Sequence, residues 1–260
     1  MSFHVLIPAR LASTRLPFKP LADIGGAPMV VRVAQRAQLA GAKTVCVAAD
    51  DVSIVEACAV HDVRAILTDV DHLSGSDRLA QACQLLGLSD DAVVVNVQGD
   101  EPLIEPDLIS AVAGCLLQNT QLGVATAATP ILSVNDWDNP NIVKVVLTKS
   151  GRALYFSRSA IPFWREGAST ALEHRQSQLP TTGQAILRHI GIYAYRVNAL
   201  RRFSNYPPCA LEITESLEQL RLLWEEQDIQ VFVTDQSPHA GVDTPADLER
   251  VRSVWRKLGE

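Results

Sequence analysis

The order of apolar runs predicts an α/β fold: a mixed, mostly parallel central sheet flanked by helices, with a smaller β-rich region in the second half. Three observations carry this. Through roughly the first half of the chain, short strand-like runs alternate with amphipathic helical stretches, a pattern that builds parallel sheets with right-handed crossovers. NIVKVVLT (141–148) and RALYFSRS (152–159) are two strand-like runs meeting at the turn Lys149-Ser150-Gly151-Arg152, which makes a hairpin and hence a mixed sheet. ILRHIGIYAYR (186–196) is a long run with β-type alternation at Ile190, Ile192 and Ala194.

Composition narrows the class. The 260 residues, 47% hydrophobic and 20% charged, suit a globular protein, and no low-complexity run or internal repeat interrupts them. A net charge of -6 argues against nucleic acid as the main partner. No apolar run is long enough to span a membrane, and the first residues lack the pattern of a signal peptide, so a cytoplasmic location is expected. Cys46, Cys58, Cys83, Cys115 and Cys209 are widely spaced without a C-x-x-C pair, as expected of reduced, buried thiols.

The chain starts with its most informative stretch. An apolar run, Phe3 to Ile7, ends at Pro8, and Arg10, Arg15 and Lys19 follow among the small or rigid residues Ala9, Ala12, Ser13, Thr14, Pro17 and Pro20. Three cations on one loop at the carboxyl end of a buried strand, in an acidic chain, point to a polyphosphate. A helix from Pro28 to Gly41 follows, then a strand over Thr44 to Ala48. Asp50 and Asp51 are placed to cap the next helix, and Val63 to Leu67 reads as a third strand.

Ser74, Gly75, Ser76 and Arg78 stand at the entry of a helix over Leu79 to Leu86, with Ser76 the expected N-cap and Gly75 open to close approach by a ligand. Asp91 to Val97 is the most apolar strand and is expected at the sheet centre. It ends in Gln98-Gly99-Asp100-Glu101-Pro102. Open α/β sheets bind ligands at the carboxyl ends of such strands, so Asp100 is a candidate ligand for a hard divalent cation, Mg2+ if a nucleotide polyphosphate is bound. Glu101, beside Pro102, fits a turn or helix-capping role.

A helix over Leu108 to Leu117 and a strand over Gly123 to Thr129 come next, then a short turn anchored by Trp137. Residues 164–184 are poor in apolar side chains and are expected to form a flexible excursion. Leu211 to Gln227 reads as one helix with Leu217, Leu220 and Trp224 on a single face, and Glu212 and Glu215 share a side. A last strand over Val231 to Thr234 precedes a final helix. There Thr244 suits the N-cap and Pro245 the first helical position, so the helix start needs no help from Asp243.

Absences narrow the chemistry further. No G-x-G-x-x-G follows the first strand and no G-x-x-x-x-G-K-[ST] occurs, which argues against a dinucleotide-dependent oxidoreductase and a P-loop nucleotidase. No zinc-type Cys/His cluster appears. Of the scattered histidines, His189 stands out, in the β-run between Arg188 and Ile190.

Several segments together resemble the 3-deoxy-manno-octulosonate cytidylyltransferase (CMP-Kdo synthetase) family: IPARLAST and RLP with KPL near the start, SGSDRLA at 74–80, VNVQGDEP at 95–102, ALYFSR at 153–158, RHIGIYAYR at 188–196, the LE-x-x-E-x-LEQLR pattern at 211–221 and GVDTP-x-DLERVR at 241–252. The resemblance runs the length of the chain in order and spacing. It implies a Rossmann-like nucleotidyltransferase fold in a single domain of residues 1–260, with a CTP-binding half at 1–130, a sugar-acid and dimer region at 131–235, and a metal loop and helix at 236–260. It implies transfer of CMP from CTP to 3-deoxy-manno-octulosonate (Kdo) for lipopolysaccharide synthesis, Mg2+ dependence and a homodimer.

The resemblance also implies residue roles. Arg10, Arg15 and Lys19 would bind the triphosphate, with Arg10 and Lys19 also catalytic. Ser74, Gly75 and Arg78 would line the cytosine pocket together with backbone near Pro8 and Ala9. Asp100 and Asp243 would hold Mg2+. Gln98, Arg158, His189, Tyr193, Glu212 and Glu215 would face the sugar acid, Arg158 as partner of its carboxylate. Two departures from the family pattern are visible: Phe18 stands where glycine is usual, and Ile213, Thr214 and Ser216 alter the helix around the two glutamates. A related acid sugar as acceptor, or a catalytically silent nucleotide-binding regulator, are the other readings; the pair Asp100 and Asp243 argues against the silent one.

Overall fold

The computed structural model describes all residues except 1, 14, 73, 169, 171–173, 177–178, 180–185, 237 and 259–260. Among the described residues, one sheet has the strand order β11-β7-β10-β6-β1-β4-β5, with β8 pairing β10 and β9 pairing β8. Its strands are β1 (Phe3–Ala9), β4 (Thr44–Ala49), β5 (Ala65–Leu67), β6 (Val93–Asn96), β7 (Val124–Pro130), β8 (Lys144–Leu147), β9 (Ala153–Ser157), β10 (Leu187–Arg196) and β11 (Ile229–Val233). Along the main path only β10 runs against its neighbours, pairing antiparallel with β6 and β7. β8 and β9 form the expected antiparallel hairpin, with Gly151 in the turn at φ 77. The mixed, mostly parallel sheet predicted from the runs is therefore present.

Strand alternation sorts the core into two layers. Val5, Ile7, Val93, Val95 and Val97 point to one face, against α1 (Met29–Gln38), α2 (Val52–Val60) and α4 (Pro106–Gln118). Leu6, Cys46, Ala48 and Val94 point to the other, against α3 (Gly75–Leu85) and α7 (Val197–Asn205). β1 and β6 lie side by side in parallel, from Phe3 opposite Val93 to Leu6 opposite Asn96, so their carboxyl ends emerge together. A third cluster joins Ile24 of β2 (Asp23–Ile24) and Met29 to Val242, Leu248 and Val251, docking α10 (Pro245–Leu258) onto the start of the chain. β2 pairs with β3 (Ala27–Pro28) in a separate ribbon.

Local signals worked where they were short-range. Asp51 caps α2 by accepting from Ser53 N–H at 2.8 Å. Thr244 accepts from Asp247 N–H at 3.2 Å while Asp247 accepts from Thr244 N–H at 3.0 Å, so the start of α10 is closed reciprocally. Four thiols are buried and Cys115 is partly buried, all without disulfides; burial pushes Cys46 and Cys58 up to about 11 and Cys83 to about 12, which keeps them protonated.

Two expectations change. The N-cap of α3 is Ser74, not Ser76: Ser74 accepts from Asp77 N–H and Asp77 accepts from Ser74 N–H, both at 3.1 Å, which starts the helix at Gly75. The single helix over 211–227 is two, α8 (Ala210–Glu215) and α9 (Leu220–Trp224), because Ser216 adopts the left-handed conformation at φ 52 and ends the first. Leu217 and Leu220 are buried as expected, but Trp224 is exposed. The excursion expected at 164–184 lies largely outside the described residues; within it, α6 (Arg165–Ala168) is helical. Trp137, in the short helix α5 (Val134–Asp138), is buried as an anchor.

Candidate active site

The carboxyl ends of β1 and β6 open into a cavity of about 420 Å³. Pro8, Ala9, Arg10, Arg15, Lys19, Gly75, Gln98, Asp100 and Asp243 line it, nine of the residues singled out from sequence. Gly99 is there for a steric reason. A Cβ at this position would lie 2.7 Å from the carbonyl oxygen of Pro8, so only glycine lets the two strand ends approach this closely.

Lys19 is the centre of the charge arrangement. Its Nζ lies 2.6 Å from Asp100 Oδ2 and 2.9 Å from Asp243 Oδ1, and Arg15 Nη2 lies 3.1 Å from the same Asp243 oxygen. Burial pulls the Lys19 ammonium down, but the hydrogen bonds and charges of Asp100 and Asp243 outweigh it, so the group is held above its ordinary value and stays protonated. Lys19 reaches this point from a 3-10 turn, Lys19–Leu21, that Phe18 precedes in the left-handed region at φ 54, ψ 32. A glycine here would take this conformation without a Cβ penalty. Phe18 adopts it nonetheless, so Lys19 still enters the cavity. Arg10, also in the lining, donates from Nη2 to the His72 carbonyl at 2.7 Å.

Two carboxylate oxygens from distant elements thus converge on one cation-sized point. Mg2+ is typically held by one or two carboxylates with substrate phosphates supplying further oxygens, so Asp100 and Asp243 fit such an ion. Among the described residues no cluster of three or more His, Cys, Asp or Glu could hold a metal without a substrate.

The remaining residues with implied roles lie elsewhere, in four groups. Arg78 is fully buried rather than lining the cavity: Nη1 donates to Thr68 Oγ1 at 2.5 Å and to the Asp69 carbonyl at 3.1 Å, while Nη2 lies 3.8 Å from Asp50 Oδ2 as an ion pair, and neither Nε nor Nη2 makes a hydrogen bond among the described residues. Burial lowers its pKa, with Asp50 opposing. Ser74 lines a second cavity of about 520 Å³ together with Glu212. His189 and Tyr193 sit on β10 beside a bulge against β7, where the Thr126 hydroxyl pairs with His189 Nε2 at 3.0 Å and with the Ile192 carbonyl at 2.7 Å. Phe156 and Tyr193 pack on the His189 ring, and burial pushes its pKa down to about 3, so this imidazole is neutral.

Arg158, Glu212 and Glu215 are held by the protein itself. Arg158 donates to the carbonyls of Glu215 at 2.7 Å, Pro140 at 3.1 Å and Ser216 at 3.3 Å. Glu215 accepts from Ser157 Oγ at 2.6 Å and Arg158 N–H at 2.9 Å. Glu212 forms a two-bond ion pair with Arg221 and accepts from Cys209 N–H. Their spacing put them on one helix face; the break at Ser216 and these partners turn them to different tasks. In this conformation none of the three lines the first cavity.

Glu101 reads as a capping acid beside Pro102, yet burial, with Asp100 adding, pushes its carboxyl up to about 7, with Arg188 opposing. Only the burial distinguishes it, and burial is not local information.

The sequence model of the family described as Cytidylyltransferase matches residues 4–229. The chain belongs to the cytidylyltransferase family. It is 58% identical over 254 residues to a 3-deoxy-manno-octulosonate cytidylyltransferase of Acidovorax sp. (strain JS42), covering 97% of each chain. It is 54% identical over 260 residues to the protein of that name from Methylibium petroleiphilum (strain ATCC BAA-1232 / LMG 22953 / PM1), covering 100% of this chain and 97% of the other. A solved structure described as CMP:2-keto-3-deoxy-manno-octonic acid synthetase complexed with CTP superposes with a TM-score of 0.88 at 39% identity, covering 99% of this chain and 100% of that one. A cytidylyltransferase of Leptospira borgpetersenii serovar Hardjo-bovis (strain JB197) shares the fold, with a TM-score of 0.59 at 15% identity over 97% of this chain and 86% of that one. The nucleotidyltransferase fold expected of this cytidylyltransferase is thus the one it has.

Proposed function

We propose that this cytidylyltransferase transfers CMP from CTP to the anomeric hydroxyl of Kdo, giving CMP-Kdo and pyrophosphate, and that it works with Mg2+ as a homodimer in the cytoplasm, supplying lipopolysaccharide synthesis. The observation that carries the reading is the meeting of Lys19, Arg15, Asp100 and Asp243 in one cavity at the carboxyl ends of β1 and β6. Cations there suit a triphosphate, and the carboxylate pair suits its metal. Relatives at 54% and 58% identity carry the name of this activity, which is the basis for Kdo as acceptor.

The chain's own residues do the following. Arg10, Arg15 and Lys19 attract and orient the triphosphate. As the anomeric hydroxyl gives up its proton to solvent and its oxygen bonds the α-phosphorus, the bond to pyrophosphate breaks, and the same cations stabilise the charge building on the leaving group. Gly75 and the backbone at Pro8 and Ala9 would shape the nucleotide wall, and Gln98, two residues beyond β6, lines the same cavity and would face the acceptor. When bound to Asp100 and Asp243, Mg2+ would supply Lewis-acid stabilisation of phosphate charge. With both substrates held in line, positioning supplies much of the acceleration, and no covalent enzyme intermediate is needed.

Pyrophosphate release tests the reading, with CTP and Mg2+ plus Kdo, an amino-Kdo or N-acetylneuraminate, and UTP as nucleotide control. Turnover with CTP and Kdo is expected. Turnover only with another acid sugar would move the acceptor assignment. Loss of turnover with all three would overturn the activity.

A further inference from the structure

A further polar cavity, about 390 Å³, lies at the other end of the sheet, where β1, β4, β5 and β6 begin. His4, Lys43, Thr44, Arg64, Gly87 and Ser89 are in its lining. His4 is 8% exposed, and its Nδ1 is 2.7 Å from Thr44 Oγ1. Its other nitrogen, Nε2, has no protein partner among the described residues. Lys43 and Arg64 flank it, and neither side chain has an ion pair or hydrogen bond among the described residues. Their backbones are fixed by the sheet: Lys43 N–H donates to the Phe3 carbonyl at 2.8 Å and the Arg64 carbonyl accepts from Val47 N–H at 2.9 Å. Among the described residues no aspartate or glutamate lines the cavity.

We propose that this cavity is an anion site, separate from the nucleotide cavity, that takes a small phosphate-bearing molecule. The buried imidazole presents Nε2–H when the Thr44 hydroxyl donates to Nδ1. Lys43 and Arg64 supply two positive charges, and the Ser89 hydroxyl is a further donor. In a chain of net charge -6, two unpaired cations around a nine-tenths-buried donor are matched by a dianion. Burial first, then Lys43 and then Arg64, hold the His4 pKa below its ordinary value. A bound phosphate would offset the repulsion from both cations. His4 and Pro8 stand on the same strand, about 13 Å apart at the usual rise per residue, so the site lies across the sheet from the catalytic cavity.

The test is an NMR titration of the His4 imidazole in the full chain, at constant ionic strength in chloride, with inorganic phosphate, pyrophosphate or glucose 6-phosphate and no metal. A saturable change at His4 is expected, with its pKa rising by about one pH unit. The Lys43→Ala/Arg64→Ala double variant, altered at two exposed positions, should lose the change and keep its CTP affinity. Similar saturation by all three probes would assign the site to the phosphate group itself; tenfold tighter saturation by pyrophosphate would assign it to the product of the transfer reaction. No saturable change with any probe, or a change that persists in the double variant, would overturn the proposal.

Discussion

Lys19 Nζ sits 2.6 Å from Asp100 Oδ2, and the same ammonium spans to Asp243, joining residues 81 and 224 positions apart. The ammonium occupies the point on which the two carboxylates converge. Lys19→Met should therefore tighten Mg2+ binding in the absence of nucleotide by about tenfold, the effect of removing one competing unit charge in a partly solvated site. It should weaken CTP binding at the same time. Calorimetry with each ligand alone checks both, and a variant that loses metal affinity would sink the competition. Asp100→Asn should lower kcat/KM for CTP by at least about a hundredfold, comparable to removing one transition-state charge contact.

Phe18 holds a left-handed backbone with its ring 63% exposed, so little packing offsets the strain. Phe18→Gly should stabilise the protein by about 0.5–1 kcal/mol, the Cβ penalty less the entropy that glycine loses on folding. Urea denaturation reads this directly. A destabilised Phe18→Gly protein would mean that the ring contributes packing not visible in its exposure.

The Glu212–Arg221 pair is largely buried and ties α8 to α9 across the break at Ser216. Glu212→Gln removes the carboxylate that Arg221 bonds directly and leaves its buried guanidinium only the longer-range charges of Glu218 and Asp77, so stability should fall by about 2–4 kcal/mol. If Glu212 acts mainly in holding these helices, the KM for the sugar acid should change less than threefold in protein kept folded at low temperature. A large KM effect with unchanged stability would assign it to the acceptor instead.

His189 supplies a pH dependence whose sign is fixed. Its folded pKa of about 3 lies below the ordinary histidine value, so the unfolded chain takes up a proton that the folded chain refuses. The stabilising effect is complete above about pH 6.5 and is lost as pH falls toward 3, at up to about 1.4 kcal/mol per pH unit. His189→Gln should flatten the stability profile between pH 6.5 and 5 by about that slope, whatever its effect at pH 7. Denaturation midpoints across that range check it; an unchanged slope would mean that the imidazole protonates in the folded protein.

Much of the site was legible because its signals are local. The run ending at Pro8 set the carboxyl end of β1, and the cations after it set the positive side of the cavity. The apolar run of β6 put Asp100 at its end. A reciprocal cap between Thr244 and Asp247 left Asp243 without a structural duty. The stop at Ser216 was not legible, since serine has no special preference for the left-handed region and tertiary bonds from Glu215 to Ser157 and Arg158 hold it there. The same holds for Arg78, which the family resemblance placed in the cytosine pocket while the fold buries it completely.

The sequence by itself determined the alternation of strands and helices, the hairpin of β8 and β9, and which residues stand at the strand ends, because periodicity, caps and turns act over a few residues. Tertiary structure alone decided that Lys19, Asp100 and Asp243 meet. That meeting needs β1 and β6 to pair, Gly99 to admit the Pro8 carbonyl, and Val242, Leu248 and Val251 to bury against Ile24 and Met29. The reason is physical: burial of apolar surface between distant segments is set by complementary shape across the whole fold, and no short stretch of chain contains it.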